Sequence, residues 1–462
     1  MYRFYLNQVS NEYHFAELVR EFLPEESFEA VPGSWIDAEN YKLTDNSYMI
    51  NPLGEKDRDE IKAELYRLLS DLTGRTPPWG TLTGVRPLKL AFLIYDRYGS
   101  VTDMVRVLQE AYLLQPDKAA LMERILRYQL RSVSAPGPDR YSIYVGIPFC
   151  PTRCSYCSFA SSVASGEVID RYLEHLLREI RYTGSLLRDS GKSIESLYIG
   201  GGTPTTLAAH QLEPLLNVLY DAFRLDPEAT EVTVEAGRPD TITQDKLNAI
   251  RACGVDRISI NPQSMKAETL RLIGRDHRPE DIVKAFELAA QTGFRTINSD
   301  LIAGLPEESP EDFGDTLRKI LSLGAGNITV HTLSVKRGSR LREEDPAYYR
   351  RDAETVSAML GEAGSALSSS GFEPYYIYRQ KHQIGSFENV GYCRDGLHSL
   401  YNIRIMEEKQ SIVGLGAGAI GKIWYPAEDR LERVANISNV QVYFDRFEEI
   451  LARKDKYLEM IK

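Results

Sequence analysis

The sequence predicts an α/β protein built on a partial (β/α)6 TIM-like barrel, with an α+β domain before it and a covering segment after it. Two observations predict this class. From Tyr141 onward, six short β-rich runs alternate with helical stretches, and crossover helices join strands that run parallel. Six such units fall short of the eight that close a full barrel. The second observation is placement. Three cysteines follow the first run directly, and open α/β sheets gather ligands at the carboxyl ends of their strands.

The elements can be justified in order. Residues 1–131 read as an N-terminal α+β domain with no recognisable chemistry. Residues 2–7 suit a strand, 11–22 a short helix and 41–51 a strand pair. From Asp57, the residues Ile61, Leu65, Leu68, Leu69 and Leu72 share one helical face that stops at Gly74. Pro87 opens another helix, since proline suits a first helical turn. Further helices are expected near 103–111 and 117–130. Residues 132–140, with Pro136, Gly137 and Pro138, read as a linker.

The barrel is expected over 141–345. Its strands fall at 142–147, 196–199, 231–235, 257–260, 296–301 and 328–333, and its helices at 168–188, 212–223, 245–252, 279–291 and 310–321. Residues 346–462 read as a C-terminal region covering the substrate side. They open with a helix over 352–367 and continue into an aromatic stretch holding Tyr375, Tyr376 and Tyr378.

Cys150, Cys154 and Cys157 stand at C-x3-C-x2-C spacing in one loop. Iron–sulfur clusters usually take four cysteine ligands, so a cube of four irons held here would keep one iron open to another molecule. Zinc is the alternative, although structural zinc wants four ligands and the nearest histidine, His175, falls in a predicted helix. Three unrelated thiols at this spacing would be a coincidence, so a cluster is the favoured reading, zinc the second and inert thiols the third. The chain has five cysteines, an odd number that argues against a disulfide framework. Cys253 and Cys393 read as ordinary small packing residues.

Composition narrows the class. The 462 residues suffice for two or three domains, and 43% hydrophobic with 26% charged residues is ordinary for a soluble enzyme. A net charge of −11 disfavours a broad nucleic-acid footprint. No apolar run approaches the roughly 20 residues that span a bilayer. Met1 to Tyr5 leads into a strand rather than a signal peptide. A cytoplasmic protein is therefore expected, where thiolates stay reduced.

At the end of the second predicted strand stands Gly200-Gly201-Gly202-Thr203-Pro204-Thr205. Read alone it is a turn; next to the cysteine loop it suggests a place where backbone approaches a ligand. Together with Tyr144-Val145-Gly146-Ile147-Pro148-Phe149-Cys150 it resembles the radical S-adenosylmethionine (SAM) enzymes of the oxygen-independent coproporphyrinogen III oxidase type. Within that family the chain most resembles the long, HemZ-type coproporphyrinogen dehydrogenases. The resemblance covers the barrel and much of the tail.

The resemblance implies that Cys150, Cys154 and Cys157 bind a 4Fe-4S cluster with one open iron, which SAM chelates. Tyr144 would then lie near the SAM sulfonium as a catalytic residue, and Tyr156 near the adenine. Gly201, Gly202 and Thr203 would meet the methionine part, and Glu235 the amino acid group. Gln263 and Arg275 would hold ribose or carboxylate, with Arg278 an alternative to Arg275. Asp300 would accept ribose hydroxyls. Carboxylates suit hydroxyl and ammonium groups, and guanidinium suits carboxylate.

The implied reaction takes a hydrogen from a substrate propionate through a 5′-deoxyadenosyl radical. Carbon dioxide leaves and a vinyl group remains, so that coproporphyrinogen III becomes protoporphyrinogen IX in haem biosynthesis. Partners would be the tetrapyrrole and a low-potential electron donor such as flavodoxin or ferredoxin. Lys336, Arg337, Arg340, Arg379, Lys381 and Arg404 are candidates for the tetrapyrrole carboxylates.

Three departures leave other readings open. Gly146 replaces the family's usual histidine. Phe159 and Ala160 stand where the established decarboxylases have another cysteine, which the related haem chaperones also lack. The chaperones' haem-binding element survives only as Leu397-His398-Ser399-Leu400-Tyr401-Asn402, where His398 reads as structural rather than as an axial ligand. A haem-binding chaperone-like protein that retains cluster and SAM, or a radical SAM methyltransferase, are the alternatives. Gly416-Ala417-Gly418-Ala419-Ile420-Gly421 fits a dinucleotide fingerprint but lies outside a βαβ unit, and Ile423 spoils a P-loop reading. It is expected to be a tail segment packed near the active site.

Overall fold

Successive side chains of a strand point to opposite faces, and in the barrel strands the large apolar residues mostly take every second position. Ile143, Val145 and Ile147 are buried in the first of them, as are Leu197 and Ile199 in the next. The computed structural model describes residues 1–159, 161–336, 338–345, 348 and 353–461.

The strands in chain order are β1 (Tyr2–Asn7), β2 (Phe28–Gly33), β3 (Ser47–Ile50), β4 (Arg140–Ile147), β5 (Ser193–Gly201), β6 (Glu231–Glu235) and β7 (Arg257–Ser259). They continue as β8 (Thr296–Ala303), β9 (Asn327–Thr332), β10 (Glu373–Arg379), β11 (Glu388–Cys393), β12 (Ser411–Leu415), β13 (Ile420–Tyr425) and β14 (Arg430–Ala435). β4 to β9 pair in parallel in sequence order, as the alternation predicts. Helices Gly166–Leu187, Ala209–Phe223, Gln244–Ala252, Pro279–Thr292 and Pro310–Ser322 supply the crossovers.

The tail joins the barrel sheet. β12 pairs in parallel with β4, and β13 and β14 continue that edge antiparallel. At the other edge β11 pairs antiparallel with β9, and β10 with β11. One open sheet of eleven strands results, ordered β10-β11-β9-β8-β7-β6-β5-β4-β12-β13-β14. The barrel thus stays open, and tail strands extend both of its edges. The predicted helix over 352–367 forms as Ala353–Ser369; Asp352 lies outside the described residues.

The N-terminal sheet is parallel, ordered β2-β1-β3. The strand pair expected over 41–51 is corrected here. Only Ser47–Ile50 is a strand, and Ala38–Asn40 is a turn of 3-10 helix. The third strand comes from Phe28–Gly33, hidden in the sequence by Pro32; proline is confined to edge positions, and β2 is an edge. The helix expected from Asp57 forms as Arg58–Thr73, capped reciprocally by Asp57 and Glu60 and ended by Gly74 at φ 66°. β1, the helix Tyr13–Phe22 and this helix share a small core around Phe4, Leu6, Leu18 and Leu65. The helices Pro87–Tyr98, Val101–Glu110 and Pro116–Ser132 instead give Leu88, Met104, Leu108 and Met122 to the main core.

Candidate functional site

The cysteine loop is shaped by its neighbours at the strand ends. Cys150 N–H donates to Ser162 O (3.1 Å), Ser155 N–H to Ile273 O (3.0 Å), and Leu341 N–H closes on Ser155 O (2.9 Å). The glycine run packs beneath the loop. Gly202 N–H donates to Ile147 O (2.8 Å) and Thr203 N–H to Phe149 O (2.7 Å). A Cβ on Gly202 would stand 2.5 Å from Phe149 O, so glycine is required for this approach.

All five cysteines are free thiols. Thr203 Oγ1 lies 3.5 Å from Cys150 Sγ. Burial pushes the Cys157 thiol up, and the neighbouring thiols Cys154 and Cys150 add to this. Among the described residues no three metal-binding side chains converge on one point. The three thiols share one loop, and Cys157 lies within electrostatic reach of both of the others, a donor set that fits the corners of a cluster. Cys393 is buried with its Sγ 3.3 Å from Tyr128 Oη, and Cys253 is half-buried beside Asn217.

Around this loop the fold gathers two groups of opposite charge. The acidic group holds Glu235 at the end of β6 and Asp300 on β8. Tyr198 donates to Glu235 Oε1 at 2.5 Å. Burial, opposed by that hydrogen bond and reinforced by Asp300, pushes the Glu235 carboxyl up to about 7. Room for it comes from Gly200, where a Cβ would lie 2.9 Å from Glu235 Cδ. Asp300 also faces His331 at 3.6 Å, and its backbone carbonyl accepts from Gln263 N–H (3.0 Å). Gln263 holds a left-handed φ of 68°, and its buried Oε1 has no protein partner. Tyr144 stacks on Tyr198 and Tyr401 at 6.3 and 6.0 Å between centroids. Tyr401 comes from the tail helix Leu400–Glu407, a contribution that no spacing in the sequence announces.

The basic group centres on Arg275. It is buried, donates to Asn261 O (2.5 Å) and Tyr156 Oη (3.2 Å), and faces the Cys154 thiol. Its Nε has no protein partner. Arg278 is exposed at the start of the helix Pro279–Thr292, so Arg275 is the one aimed inward. Sequence reading missed Arg238, which sits in the loop after β6 with Nη1 3.7 Å from Cys154 Sγ.

Several basic candidates are committed elsewhere. Arg379 is buried, donates to Leu82 O and Ser386 O, and pairs with Glu21 at 2.8 Å. Arg404 is fully buried between Glu195 (2.6 Å) and Glu407 (2.8 Å). Lys381 pairs with Glu17 and donates to Tyr13. Both arginines are fold fixtures, because burying a guanidinium requires partners for it. Arg340 is exposed, with Glu344 3.9 Å away. Lys336 is half-buried near Cys157, its ammonium lowered by burial. Arg337 lies outside the described residues.

His398 accepts from or donates to Tyr128 Oη through Nδ1 (3.0 Å), a structural bond within the wall. The glycine run at 416–421 forms the turn between β12 and β13. Its amides donate to Glu179 (Gly416 N, 3.0 Å) and Tyr172 Oη (Ala417 N, 2.9 Å), not toward a free cavity. It also explains Gly146, since a Cβ there would lie 2.9 Å from Ala417 O.

An open parallel barrel with three thiols at its first strand end defines the class. Residues 144–320 match the Radical SAM superfamily. The chain belongs to the oxygen-independent coproporphyrinogen-III oxidase-like family of these proteins. It is 39% identical over 412 residues to the oxygen-independent coproporphyrinogen-III oxidase-like protein HemZ of Bacillus subtilis, covering 87% of this chain and 81% of that one. It is 30% identical to the heme chaperone HemW of Escherichia coli, over 62% of this chain and 71% of that one. The fold is that of the Escherichia coli coproporphyrinogen III oxidase HemN, a radical SAM enzyme, with a TM-score of 0.54 over 72% of each chain at 24% identity. Membership implies a 4Fe-4S cluster and SAM. No helix among the described residues is long and apolar enough to cross a membrane.

Proposed function

We propose that the protein is an anaerobic oxidoreductase that converts coproporphyrinogen III propionates to vinyl groups. When bound, the cluster and SAM supply one-electron reduction of a sulfonium and thus a carbon radical that takes hydrogen from a substrate methylene. Each propionate then loses carbon dioxide, and its second electron passes to an acceptor.

The chain's own residues bind and orient. Cys150, Cys154 and Cys157 hold three cluster corners. Glu235 accepts the SAM ammonium, Arg275 its carboxylate, and Asp300 with Gln263 its ribose. Gly201 and Thr203 line the methionine part, and Tyr156 the adenine. Tyr144, walled by Tyr198 and Tyr401, closes the sulfonium side and excludes water. Among the described basic candidates Lys336, half-buried near Cys157, is the one beside the cysteine loop and would meet a substrate carboxylate.

The observation that carries the SAM part is the arrangement of Glu235 and Asp300 opposite Arg275 around the same loop as the thiols. The tetrapyrrole part rests on the extent of the likeness to HemZ, which matches more residues than barrel and tail together contain.

A second reading, a haem-binding protein that keeps cluster and SAM, is favoured by one feature. Phe159, where the decarboxylases carry another cysteine, is exposed, and the likeness to HemW points the same way. The test is anaerobic incubation of the reconstituted chain with SAM, a low-potential reductant and coproporphyrinogen III. Vinyl products support the oxidase. SAM cleavage without them, together with stoichiometric haem binding, moves the function to the second reading.

A further inference from the structure

We infer that Arg238 is a positioning residue for the cluster, holding the Cys154 sulfur with a directed hydrogen bond. The inference deepens the proposed function, because it rests on the three cysteines binding a cluster.

Arg238 is reached from β6, in the sequence Glu235-Ala236-Gly237-Arg238, and its side chain is 4% exposed. A buried guanidinium must place all five N–H donors. Asp240 takes two of them, from Nε at 3.0 Å and Nη2 at 3.1 Å. Thr152 Oγ1, inside the cysteine loop, takes one each from Nη1 and Nη2 at 3.1 Å. The remaining Nη1 donor is aimed at Cys154 Sγ, 3.7 Å away. The accounting therefore closes on the sulfur.

The guanidinium is also braced from behind. His277 Nδ1 stands 3.4 Å from Asp240 Oδ1, and the imidazole is fully buried. Burial pushes the His277 imidazole down, while the nearby His277 ring and the Arg238 guanidinium outweigh burial and hold Asp240 well below the usual carboxylate range. An arginine fixed in this way cannot swing to solvent.

The three sulfurs consequently sit in unequal surroundings. Cys150 faces a neutral hydroxyl, Cys157 a half-buried lysine, and Cys154 two buried guanidiniums, Arg238 and Arg275. Hydrogen bonds to ligating sulfurs and local charge set cluster potentials, and residues that orient ligands govern metal retention. Asp240 balances the formal charge of Arg238, so what reaches the sulfur is a directed hydrogen bond.

The experiment compares the full chain with R238Q, R238K and T152V after anaerobic reconstitution. Iron per chain under chelator challenge and the midpoint from an EPR-monitored redox titration are read. For R238Q the expected result is about 10- to 100-fold weaker retention and a midpoint shifted to more negative potential. R238K keeps a charge but lacks the fork, so it recovers the midpoint in part and retention less. T152V, which leaves Arg238 in place, lowers retention with little change in midpoint and serves if R238Q fails to fold. Wild-type retention and midpoint in both R238K and T152V, or in a folded R238Q, overturn the inference. Absence of iron from the unmodified chain overturns the cluster reading itself, and the inference with it.

Discussion

At the scale of the residue, Glu235 gives the site a pH dependence. Its carboxyl is raised to about 7, chiefly by burial, and under the proposed function the SAM ammonium needs the charged form. Affinity for SAM should therefore climb as pH rises through about 7 and level off above it. Below that point it should fall by about tenfold per unit. Calorimetric titration with SAM at pH 6 and pH 8 reads this directly, and E235Q should flatten the profile. The stability term has the opposite sense. A raised carboxyl favours the ligand-free fold at low pH and loses that contribution as pH rises from the ordinary carboxyl range to about 7. Cys154→Ala should abolish the 4Fe-4S cluster altogether, as iron analysis and loss of brown colour would record.

At the scale of the element, glycines set how closely β4, β5 and the tail turn approach one another. Gly202→Ala forces a Cβ to within 2.5 Å of Phe149 O, backbone that cannot yield like a flexible side chain. The expected cost is about 1–3 kcal/mol of stability, read by chemical denaturation, with a displaced cysteine loop and poorer cluster loading. Gly146→Ala meets Ala417 O at 2.9 Å and should cost a comparable amount without touching a thiol. Loading that survives in Gly146→Ala but not in Gly202→Ala would separate the two roles.

At the scale of the whole molecule, the tail is fastened to the barrel through a fully buried ion pair. Lys454, in the helix Phe447–Leu458, meets Glu179 of the helix Gly166–Leu187 at 2.8 Å with both side chains fully buried. Glu179 also accepts from Tyr443 (2.5 Å), Asn436 (2.8 Å) and Gly416 N. Lys454→Met leaves a buried carboxylate without its cation and should cost about 3–5 kcal/mol. Thermal melting would show the loss, and limited proteolysis should cut first in the released tail. The N-terminal domain is tied on similarly, with Trp79 Nε1 (2.8 Å), from the turn before Pro87, and Lys118 Nζ (2.7 Å), from the helix Pro116–Ser132, both on Glu388 of β11.

The sequence by itself determined the barrel and its order. Periodicity separates β4 to β9 from their helices because the strands are short β-rich runs while the crossovers repeat apolar residues at helical spacing. The cysteine spacing is legible for a related reason, since ligands from one loop must lie close in the chain. Tertiary structure alone decided what comes from distant segments. Tyr401 against Tyr144, Arg238 against Cys154, and β12 beside β4 join residues 84 or more positions apart in the chain, and no local pattern encodes such meetings. β2 was hidden because Pro32 is tolerated only at an edge, and edge position is a property of the assembled sheet. Arg379 and Arg404 carry charges that suit a substrate in sequence. Only burial against Glu21, Glu195 and Glu407 turns them into parts of the frame.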